Sequence, residues 1–406
     1  MPLDVRPTTF EDAIAARRLG AEAFGVPSTP PPVPTPGSWP PENVRPWIVK
    51  DGDDIAGVLS VRSFTSWFHG ARVRTAGIAG VTVAAERRGT GILRPMFAAV
   101  LADARQRGEA ISTLYPTQAG VYRGVGYEIV GAYQVLRVPM PALAKVRPPS
   151  GGTRARRATA EDLAGIQSVY RSWASGHNGP LTREDVPFAM EADEMFGSES
   201  TYTGISVAVD GERIVGFVSW TRGTGYDRTG TLEVDDLVAE TPDAARALWR
   251  VIASFDPVVG SADVPTTAGW SGADPIRLVL PDHAATIVRD EPYMLRILDV
   301  EAALGRAILP PIQACVPFAV VDPTTPDIEG SWSLETTGDG SPTIGSDRGE
   351  NPDRLVFTSA GLAVSYAGSV STTALRRAGH LTGPTTHDAA WDALWRGRDI
   401  HVRDYF

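Results

Sequence analysis

The stretch that decides the fold is VTVAAERRGTGILR, residues 81–94. A valine-rich segment typical of a strand leads into RRGTG at 87–91, and a helix is predicted to begin directly afterwards. Apolar residues then recur at the spacing of one buried helix face, at Ile92, Leu93, Met96, Phe97, Val100, Leu101 and Ala104. Gly89 and Gly91 permit a sharp turn and a close approach of a ligand to the backbone. Free N–H groups at the helix start, with two arginines beside them, predict a pyrophosphate site, although a loop of solvated arginines is the alternative.

Length and composition limit the number of domains and the kinds of partner. With 406 residues the chain is too long for one ordinary core, so two or three domains are expected. A formal net charge of −10 argues against nucleic acid or an anionic membrane as a partner and is compatible with a cationic substrate. A single cysteine, Cys315, fits a reducing compartment, and neither a signal peptide nor a membrane span is evident. A cytoplasmic protein is therefore predicted.

Two segments of the chain look like copies of one design. Each begins with an arginine-containing strand and a helix whose first turn is acidic, in TTFEDA and ATAEDL, and each continues with a hairpin, at Asp51-Gly52 and at Asp210-Gly211. The next strand is GIAGVTV in the first copy and GTLEVDDLVA in the second. Where the first copy has its arginine–glycine loop, the second has ETPD at 240–243. The second copy is therefore expected to share the fold and to lack the anion site.

The remaining segments suggest the domain boundaries. KVRPPSGGTRAR at 145–156 is typical of a linker, and a proline-rich run from Pro27 is either a spacer or a wall of a substrate cleft. After residue 309 the pattern predicts alternating strands, one of them across 353–371, then two helical pieces and an aromatic tail that ends at Phe406. We predict an α+β protein with domains at 1–150, 151–305 and 306–406.

The strand–RRGTG–helix unit, followed by a tyrosine in VYRGVGYEIV, resembles the pattern of the GNAT acetyltransferases. Two GNAT-like α/β halves, the second without its loop, plus a C-terminal domain containing FAVVDP and GSWSLE, resemble the enhanced intracellular survival (Eis) acetyltransferases. The resemblance covers essentially the whole chain and implies that the third domain is of the sterol-carrier type. Gly80 stands where family members commonly carry an aromatic residue, and Tyr405 where they often carry an acidic one.

The resemblance implies acetyl-CoA as the donor substrate and assigns its binding residues. The pantetheine would extend the strand at Val81, Thr82 and Val83. The residues implied for the pyrophosphate and its surroundings are Arg88, Gly89, Thr90, Gly91, Ile92, Leu93, Arg94, Thr117 and Gln118.

The resemblance also implies the acid and the base of acetyl transfer to an amine. Tyr122 matches the general acid, which protonates the leaving thiolate, and a phenol has a pKa of about 10, near that of such a thiol. The carboxylate of Phe406 matches the general base. Its ordinary pKa of about 3.5 lies far below the value of about 10.4 for a lysine-type amine. Burial of the carboxylate, a lowered amine pKa or a relaying water is therefore required.

The acceptor is the least specified part of the prediction. By resemblance it is a small cationic amine, such as an aminoglycoside, or a lysine ε-amine, and the assembly is a homohexamer. The aromatic residues Trp39, Trp67 and Phe68 are candidates for an acceptor pocket, or else belong to the core. No histidine spacing suggests a metal site, and none is predicted. The alternatives are a non-catalytic lipid or acyl-CoA binding protein, which would use an apolar tunnel in the third domain, and a double-GNAT transferase with another donor.

Overall fold

The computed structural model of the protein describes residues 3–25, 33–266, 278–280, 285–347, 349 and 351–406. Two sheets organise these residues, one of twelve strands and one of five. The strands of the large sheet are, in chain order, β1 (Asp4–Pro7), β2 (Val44–Asp51), β3 (Asp54–Phe68), β4 (Ala71–Val83), β5 (Ile111–Leu114), β6 (Glu128–Pro139), β7 (Arg154–Arg157), β8 (Gly204–Asp210), β9 (Arg213–Arg222), β10 (Thr231–Ala239), β11 (Ser261–Thr266) and β12 (Thr286–Ile297). The helices that accompany it are α1 (Ala13–Phe24), α2 (Leu93–Gln106), α3 (Ala119–Arg123), α4 (Met140–Leu143), α5 (Leu163–Ser175), α6 (Ala192–Phe196) and α7 (Pro242–Ala253).

The two halves predicted as copies share this one sheet. Its strand order is β1-β2-β3-β4-β5-β12-β6-β11-β10-β9-β8-β7, so that the last strand of each half lies between strands of the other. β12 pairs antiparallel with β5 and with β6, and β6 in turn pairs antiparallel with β11. At the end of β12 four apolar residues are almost completely buried, namely Tyr293, Met294, Leu295 and Ile297. The halves therefore complete each other's sheet.

Helix α2 packs on the face that the spacing of its apolar residues predicts. The residues that it buries are Met96, Phe97, Val100, Leu101 and Ala104, which confirms the predicted face. They form a core with Val49, Leu59 and Ile78 on one face of the sheet. Helix α1 covers the opposite face, where Leu19 meets Ile48 and Val58. The strand that carries the arginine–glycine loop therefore has a helix on each side of it.

In its described part the third segment forms the five-stranded sheet and four α-helices. Its strands are β13 (Gln313–Val320), β14 (Gly330–Thr337), β15 (Pro342–Ser346), β16 (Leu355–Phe357) and β17 (Leu381–Thr382), and its helices are α8 (Val300–Leu304), α9 (Ser359–Tyr366), α10 (Thr372–Ala378) and α11 (Asp388–Trp395), with a short 3₁₀ turn at Pro326–Ile328. The strand predicted across 353–371 is wrong beyond Phe357. There Thr358 begins a helix, its hydroxyl accepting a hydrogen bond of 3.0 Å from the Gly361 N–H. Because α9 is buried nearly all round, its sequence has no helical periodicity that would have revealed it.

The third segment packs against both halves of the large sheet. One apolar cluster unites Phe68 and Ile111 of the first half with Leu295 on β12 and with Phe318 and Trp395 of the third segment. Arg296 on β12 also forms an ion pair of 2.7 Å with Asp327. Among the described helices none is long and apolar enough to cross a membrane.

Candidate active site

A wedge opens in the large sheet where the parallel strands β4 and β5 separate. Their pairing runs from Thr75 opposite Ile111 to Ile78 opposite Leu114, and β5 then ends. β4 continues to Val83 while remaining paired on its other side with β3, where Val83 lies opposite Gly57. The main-chain groups of residues 79–83 that point towards β5 therefore face a gap. An extended amide-containing chain can pair with such an edge.

A β-bulge shapes the wall of this wedge. The register between β3 and β4 shifts between Val58 and Ser60, so that two residues of β4 oppose one of β3. Gly80 lies in the bulge with φ +63°, and a Cβ built there would have no heavy atom within 4 Å. The space above the bulge is therefore open.

The turn RRGTG lies at the mouth of the wedge, directly after β4. Gly89 and Gly91 have φ values of +78° and +86°, and a Cβ on either would meet no heavy atom within 4 Å. The left-handed backbone, and not close packing, therefore requires glycine at both positions. The Met96 N–H donates to the Ile92 carbonyl at 3.2 Å, so the amides of residues 91–94 precede that bond at the open helix end. This arrangement suits a pyrophosphate.

The charged and polar residues predicted for the cofactor lie around this turn. Arg88 is exposed, with its Nε 3.3 Å from the Val83 carbonyl, and Arg94 is exposed with a long contact of 3.5 Å to the Gly124 carbonyl. Arg87, in contrast, forms an ion pair of 2.9 Å with Asp51. Thr117 and Gln118 are exposed just before α3. The structure therefore brings the predicted residues of 81–94 to one edge of the wedge, and it places 117–118 in the segment that follows β5.

Tyr122 lies in helix α3 with its ring against α2. The ring is 7% exposed and packs edge-on against Phe97, with 5.9 Å between centroids. Among the described residues no group hydrogen-bonds its hydroxyl. Burial raises the pKa of the Tyr122 phenol. The hydroxyl therefore keeps its proton at neutral pH and has no protein acceptor that competes for it.

The C-terminal tail is packed into the protein. The His401 N–H donates to the Asn178 carbonyl at 2.7 Å, and the Tyr115 hydroxyl donates to the Asp404 carbonyl at 2.6 Å. The Phe406 ring lies 5.0 Å from the Phe64 ring and 5.3 Å from that of Tyr115. Tyr115 immediately follows β5. The last residue is therefore held at the β4–β5 junction and is not a frayed end.

Gly77 makes room for the Phe406 ring. It lies in the paired part of β4, and a Cβ built on it would be 2.8 Å from a carbon of that ring and closer still to Phe64. Arg62 lies directly opposite Gly77 on β3, so its side chain projects from the same face. Among the described residues Arg62 has no ionic partner, and burial lowers the pKa of its guanidinium. Sequence reasoning missed Arg62, although a lone arginine within the apolar alternation of VLSVRSF was a usable signal.

A second wedge occurs at the corresponding place in the second half. β10 and β11 are parallel and pair from Thr231–Ser261 to Glu233–Asp263 before they separate. A cavity of about 530 Å³ lies there, and its charged lining residues are the acids Glu233, Asp235, Asp236, Asp263 and Asp404 and the arginines Arg137, Arg183, Arg289 and Arg403. Burial and the neighbouring Asp236 raise the pKa of Asp235 to about 6. Asp236, Asp263 and Asp404 form ion pairs with these arginines, whereas among the described residues neither Glu233 nor Asp235 has a cationic group within 4 Å.

The helix start that follows β10 is closed by the chain itself. The Asp243 carboxylate accepts hydrogen bonds from the N–H groups of Ser150 and Gly151, at 3.1 and 2.9 Å, and pairs with Arg246 at 2.7 Å. Hydrogen bonds from Ser150 are the main reason that the pKa of Asp243 falls to about 2. The linker therefore binds a carboxylate where the first half offers open amides to an anion.

The three aromatic residues proposed for an acceptor pocket lie in different places. Phe68 is completely buried and stacks on Tyr366 of the third segment at 5.2 Å, which removes it from any acceptor. Trp67 is 8% exposed and packs in the core of the second half beside Trp173. Trp39 is half-buried, with its indole N–H 3.3 Å from the Thr8 carbonyl. The start of the proline-rich run, residues 27–32, lies outside the described residues. The aromatic side chains that do surround Phe406 are Phe64, Tyr115 and Phe188.

Three domain families match the chain. An acetyltransferase (GNAT) domain matches residues 4–130, a second acetyltransferase (GNAT) domain matches 179–297, and a sterol carrier protein domain matches 300–402. Among the described residues no group of three or more His, Cys, Asp or Glu side chains is placed to hold a metal ion.

Individual proteins match over most of the chain. An uncharacterised N-acetyltransferase of Streptomyces avermitilis is 28% identical over 346 residues, which are 82% of each chain. The N-acetyltransferase Eis of Mycobacterium tuberculosis is 28% identical over 245 residues, 57% of this chain and 56% of Eis. The crystal structure of a GCN5-related N-acetyltransferase from Kribbella flavida superposes with a TM-score of 0.80 at 28% identity, covering 100% of this chain and 98% of the other.

Proposed function

This chain belongs to the Eis-type GNAT acetyltransferases, and we propose that it transfers an acetyl group from acetyl-CoA to an amine of a cationic acceptor, with Tyr122 as general acid and the Phe406 carboxylate as general base. Acyl transfer to nitrogen is the activity of the family, and the GNAT fold implies acetyl-CoA as the donor. The acceptor and the two catalytic groups are the proposed parts.

The single observation that carries the proposal is the β4–β5 wedge with the amide-bearing turn at its mouth. The main chain of Val81–Val83 provides an edge for the pantetheine amides, and the open helix start at 91–94 suits the pyrophosphate. The thioester would then lie along β4, where a backbone N–H can stabilise the oxyanion that forms on the carbonyl oxygen.

The proposed acid and base complete the reaction in two proton transfers. The amine nitrogen attacks the thioester carbonyl, the carbon–sulfur bond breaks, and the thiolate takes the proton of the Tyr122 hydroxyl. The proton lost by the amine goes to the Phe406 carboxylate, directly or through a water. Two observations support these roles: the Tyr122 hydroxyl has no competing acceptor among the described residues, and Phe406 is held beside Gly77 on β4.

A cationic acceptor is supported by Glu233 and Asp235, the two carboxyl groups without an ionic partner among the described residues of the cavity in the second half. Tyr405 lines that cavity and lies next to Phe406, so the cavity and the proposed base adjoin each other. Glu233 and Asp235 are available to a second positive charge of the acceptor, and an ammonium group near Asp235 would favour its ionised form. Aminoglycosides and lysine side chains both belong to this chemical class.

The rival function as a lipid carrier finds less support in the packing of the third segment. Four aromatic side chains that are at most 1% exposed fill its interior, namely Phe318, Phe357, Trp391 and Trp395. Their rings contact one another, for example Phe357 and Trp391 at 4.9 Å. An acyl chain would have to displace them. A cytoplasmic location and a homohexamer, as expected from the single cysteine and from the resemblance, belong to the proposal.

A screen of acceptors tests the proposal. Release of free CoA thiol is measured with aminoglycosides, polyamines and lysine peptides, for the wild type, for Tyr122→Phe and for a form extended beyond Phe406. We expect turnover with a cationic amine and a loss of about 100-fold or more in each altered form, the range of general acid–base catalysis. Titration with acetyl-CoA and longer acyl-CoAs by calorimetry identifies the donor. Unchanged turnover in both altered forms would refute the assignment of acid and base.

A further inference from the structure

The second half has a wedge like that of the cofactor site, and the C-terminal tail enters it. β10 continues past its pairing with β11 to Ala239, just as β4 continues past its pairing with β5. Arg403, Asp404 and Tyr405 line the cavity between the separated strands. Because Asp243 closes the helix start of this half, the wedge does not offer the anion site of the first half and is available to another part of the protein.

Arg403 makes the contacts of an anchor in this wedge. Its guanidinium donates at 3.4 Å to the Leu237 carbonyl, in the part of β10 that pairs with β9 and has no partner on β11. It lies 3.5 Å from the Asp236 carboxylate and 4.5 Å from the ring centroid of Trp173. The side chains of Arg403 and Asp236 are 1% and 4% exposed. A cation that is so deeply buried needs partners of this kind, because isolated burial of its charge is unfavourable.

A second arginine fixes the next residue of the tail. Arg183 pairs with Asp236 and also with the Asp404 carboxylate, the latter at 3.0 Å, and its guanidinium lies 4.5 Å from the ring centroid of Tyr170. Asp236 therefore joins Arg403 and Arg183, and through them it holds two successive residues of the tail. The Tyr115 hydroxyl, which belongs to the first half, donates a hydrogen bond to the Asp404 carbonyl.

We infer that the cofactor-type wedge of the second half is a docking site for the tail, and that Arg403, bound to Asp236 and to the β10 main chain, is a positioning residue for the Phe406 carboxylate. The inference rests on the proposed function, since it assumes that Phe406 acts in catalysis. Phe406 lies three residues beyond Arg403, so fixing the Arg403 backbone restricts where the carboxylate can lie. The second half then contributes to catalysis without binding acetyl-CoA.

The test compares Arg403→Met with a form that lacks residues 404–406, and with the combination of both changes. Steady-state kinetics, calorimetric binding of acetyl-CoA and thermal unfolding are measured for each. Arg398→Met is the matched control, because Arg398 lies in the same tail but donates to the Ile308 carbonyl at 3.2 Å, outside the wedge. Arg403→Lys retains the charge and loses the planar fork.

We expect Arg403→Met to lower kcat by about 100-fold, the lower end of what a positioned general base contributes, with acetyl-CoA affinity changed by less than about twofold. In the shortened form the same substitution should have almost no further effect on kcat, because the group it positions is gone. Arg403→Lys should recover part of kcat, and Arg398→Met should retain all of it. If Arg403→Met does not fold, Asp236→Asn takes its place in the same comparison.

Three results would overturn the inference. If shortening abolishes turnover while Arg403→Met leaves kcat intact, the anchor is unnecessary and the proposed function stands. If Arg403→Met lowers kcat equally in the full-length and the shortened forms, Arg403 stabilises the fold and does not position the carboxylate. The same conclusion follows if Arg403→Met weakens acetyl-CoA binding as much as it lowers kcat. If shortening leaves kcat unchanged, Phe406 is not the base, and the proposed acid–base assignment fails together with the inference.

Discussion

Replacing Gly91 by alanine should weaken the binding of acetyl-CoA without weakening the fold. Gly91 has φ +86°, and a residue with a Cβ loses about 1–2 kcal/mol in the left-handed region. Because nothing lies within 4 Å of the added Cβ, contacts within the protein contribute no further cost. The free turn is exposed and can relax to another conformation, so the cost falls on the bound state. A change of about 1–2 kcal/mol corresponds to a dissociation constant about 5- to 30-fold higher.

The assay is calorimetric titration with two ligands. In the proposed site acetyl-CoA contacts the turn through its pyrophosphate, whereas S-acetylpantetheine carries the same thioester and amides and has no pyrophosphate. Gly91→Ala should therefore weaken acetyl-CoA and leave S-acetylpantetheine unchanged. Gly20→Ala is the control variant, since Gly20 lies inside α1 and its Cβ would also meet nothing within 4 Å. It should leave both affinities unchanged and stabilise the helix by up to about 1 kcal/mol.

Two outcomes would refute the reasoning about the turn. An acetyl-CoA affinity within about twofold of the wild type would mean that the turn does not hold the pyrophosphate in its left-handed form. An equal loss for S-acetylpantetheine would mean that the substitution disturbs the wedge itself. Either result would contradict the explanation that Gly91→Ala acts through a pyrophosphate contact at the left-handed turn.

Other parts of the structure lead to three further predictions. Burial lowers the pKa of His69 to about 4, so the unfolded chain takes up a proton first as the pH falls below about 6.5. The contribution of His69 to the free energy of unfolding should be fully present above that pH and should fall by up to about 3 kcal/mol towards pH 4. In urea unfolding, His69→Gln should make the free energy of unfolding less dependent on pH. Gly77→Ala should displace the ring of Phe406 and lower kcat by about 10-fold or more, with acetyl-CoA binding retained, because overpacking costs about 1–3 kcal/mol. Strands β6 and β12 should show the same slow amide exchange, since each lies between strands of the other half; much faster exchange of β12 would contradict the shared sheet.

The sequence determined those features whose physical cause is local. The face of α2 followed from the spacing of five apolar residues, and the turn after β4 followed from two glycines whose φ values are positive. The difference between the halves was also local, because RRGTG offers arginines and glycine amides to an anion, whereas ETPD has two acidic side chains. The tail contains the apolar residues Ile400 and Val402, and their burial, at most 8% exposed, is what their side chains favour. The spacing of apolar residues and the backbone preference of glycine both depend on residues that are close together in the sequence.

Only the tertiary structure decided which segments meet. The sequences EIVGAYQVLRVP and TIVRDEPYMLRI are both strand-like, and nothing in either specifies that each completes the sheet of the other half. Backbone pairing offers the same donors and acceptors to any strand, so the choice depends on burial and on connections far apart in the chain. For the same reason Phe68 became core, Arg62 came to lie opposite Gly77, and Arg403 found Asp236 across 167 residues. Local sequence determines the turn that suits the cofactor, whereas long-range packing places the tail at the β4–β5 junction.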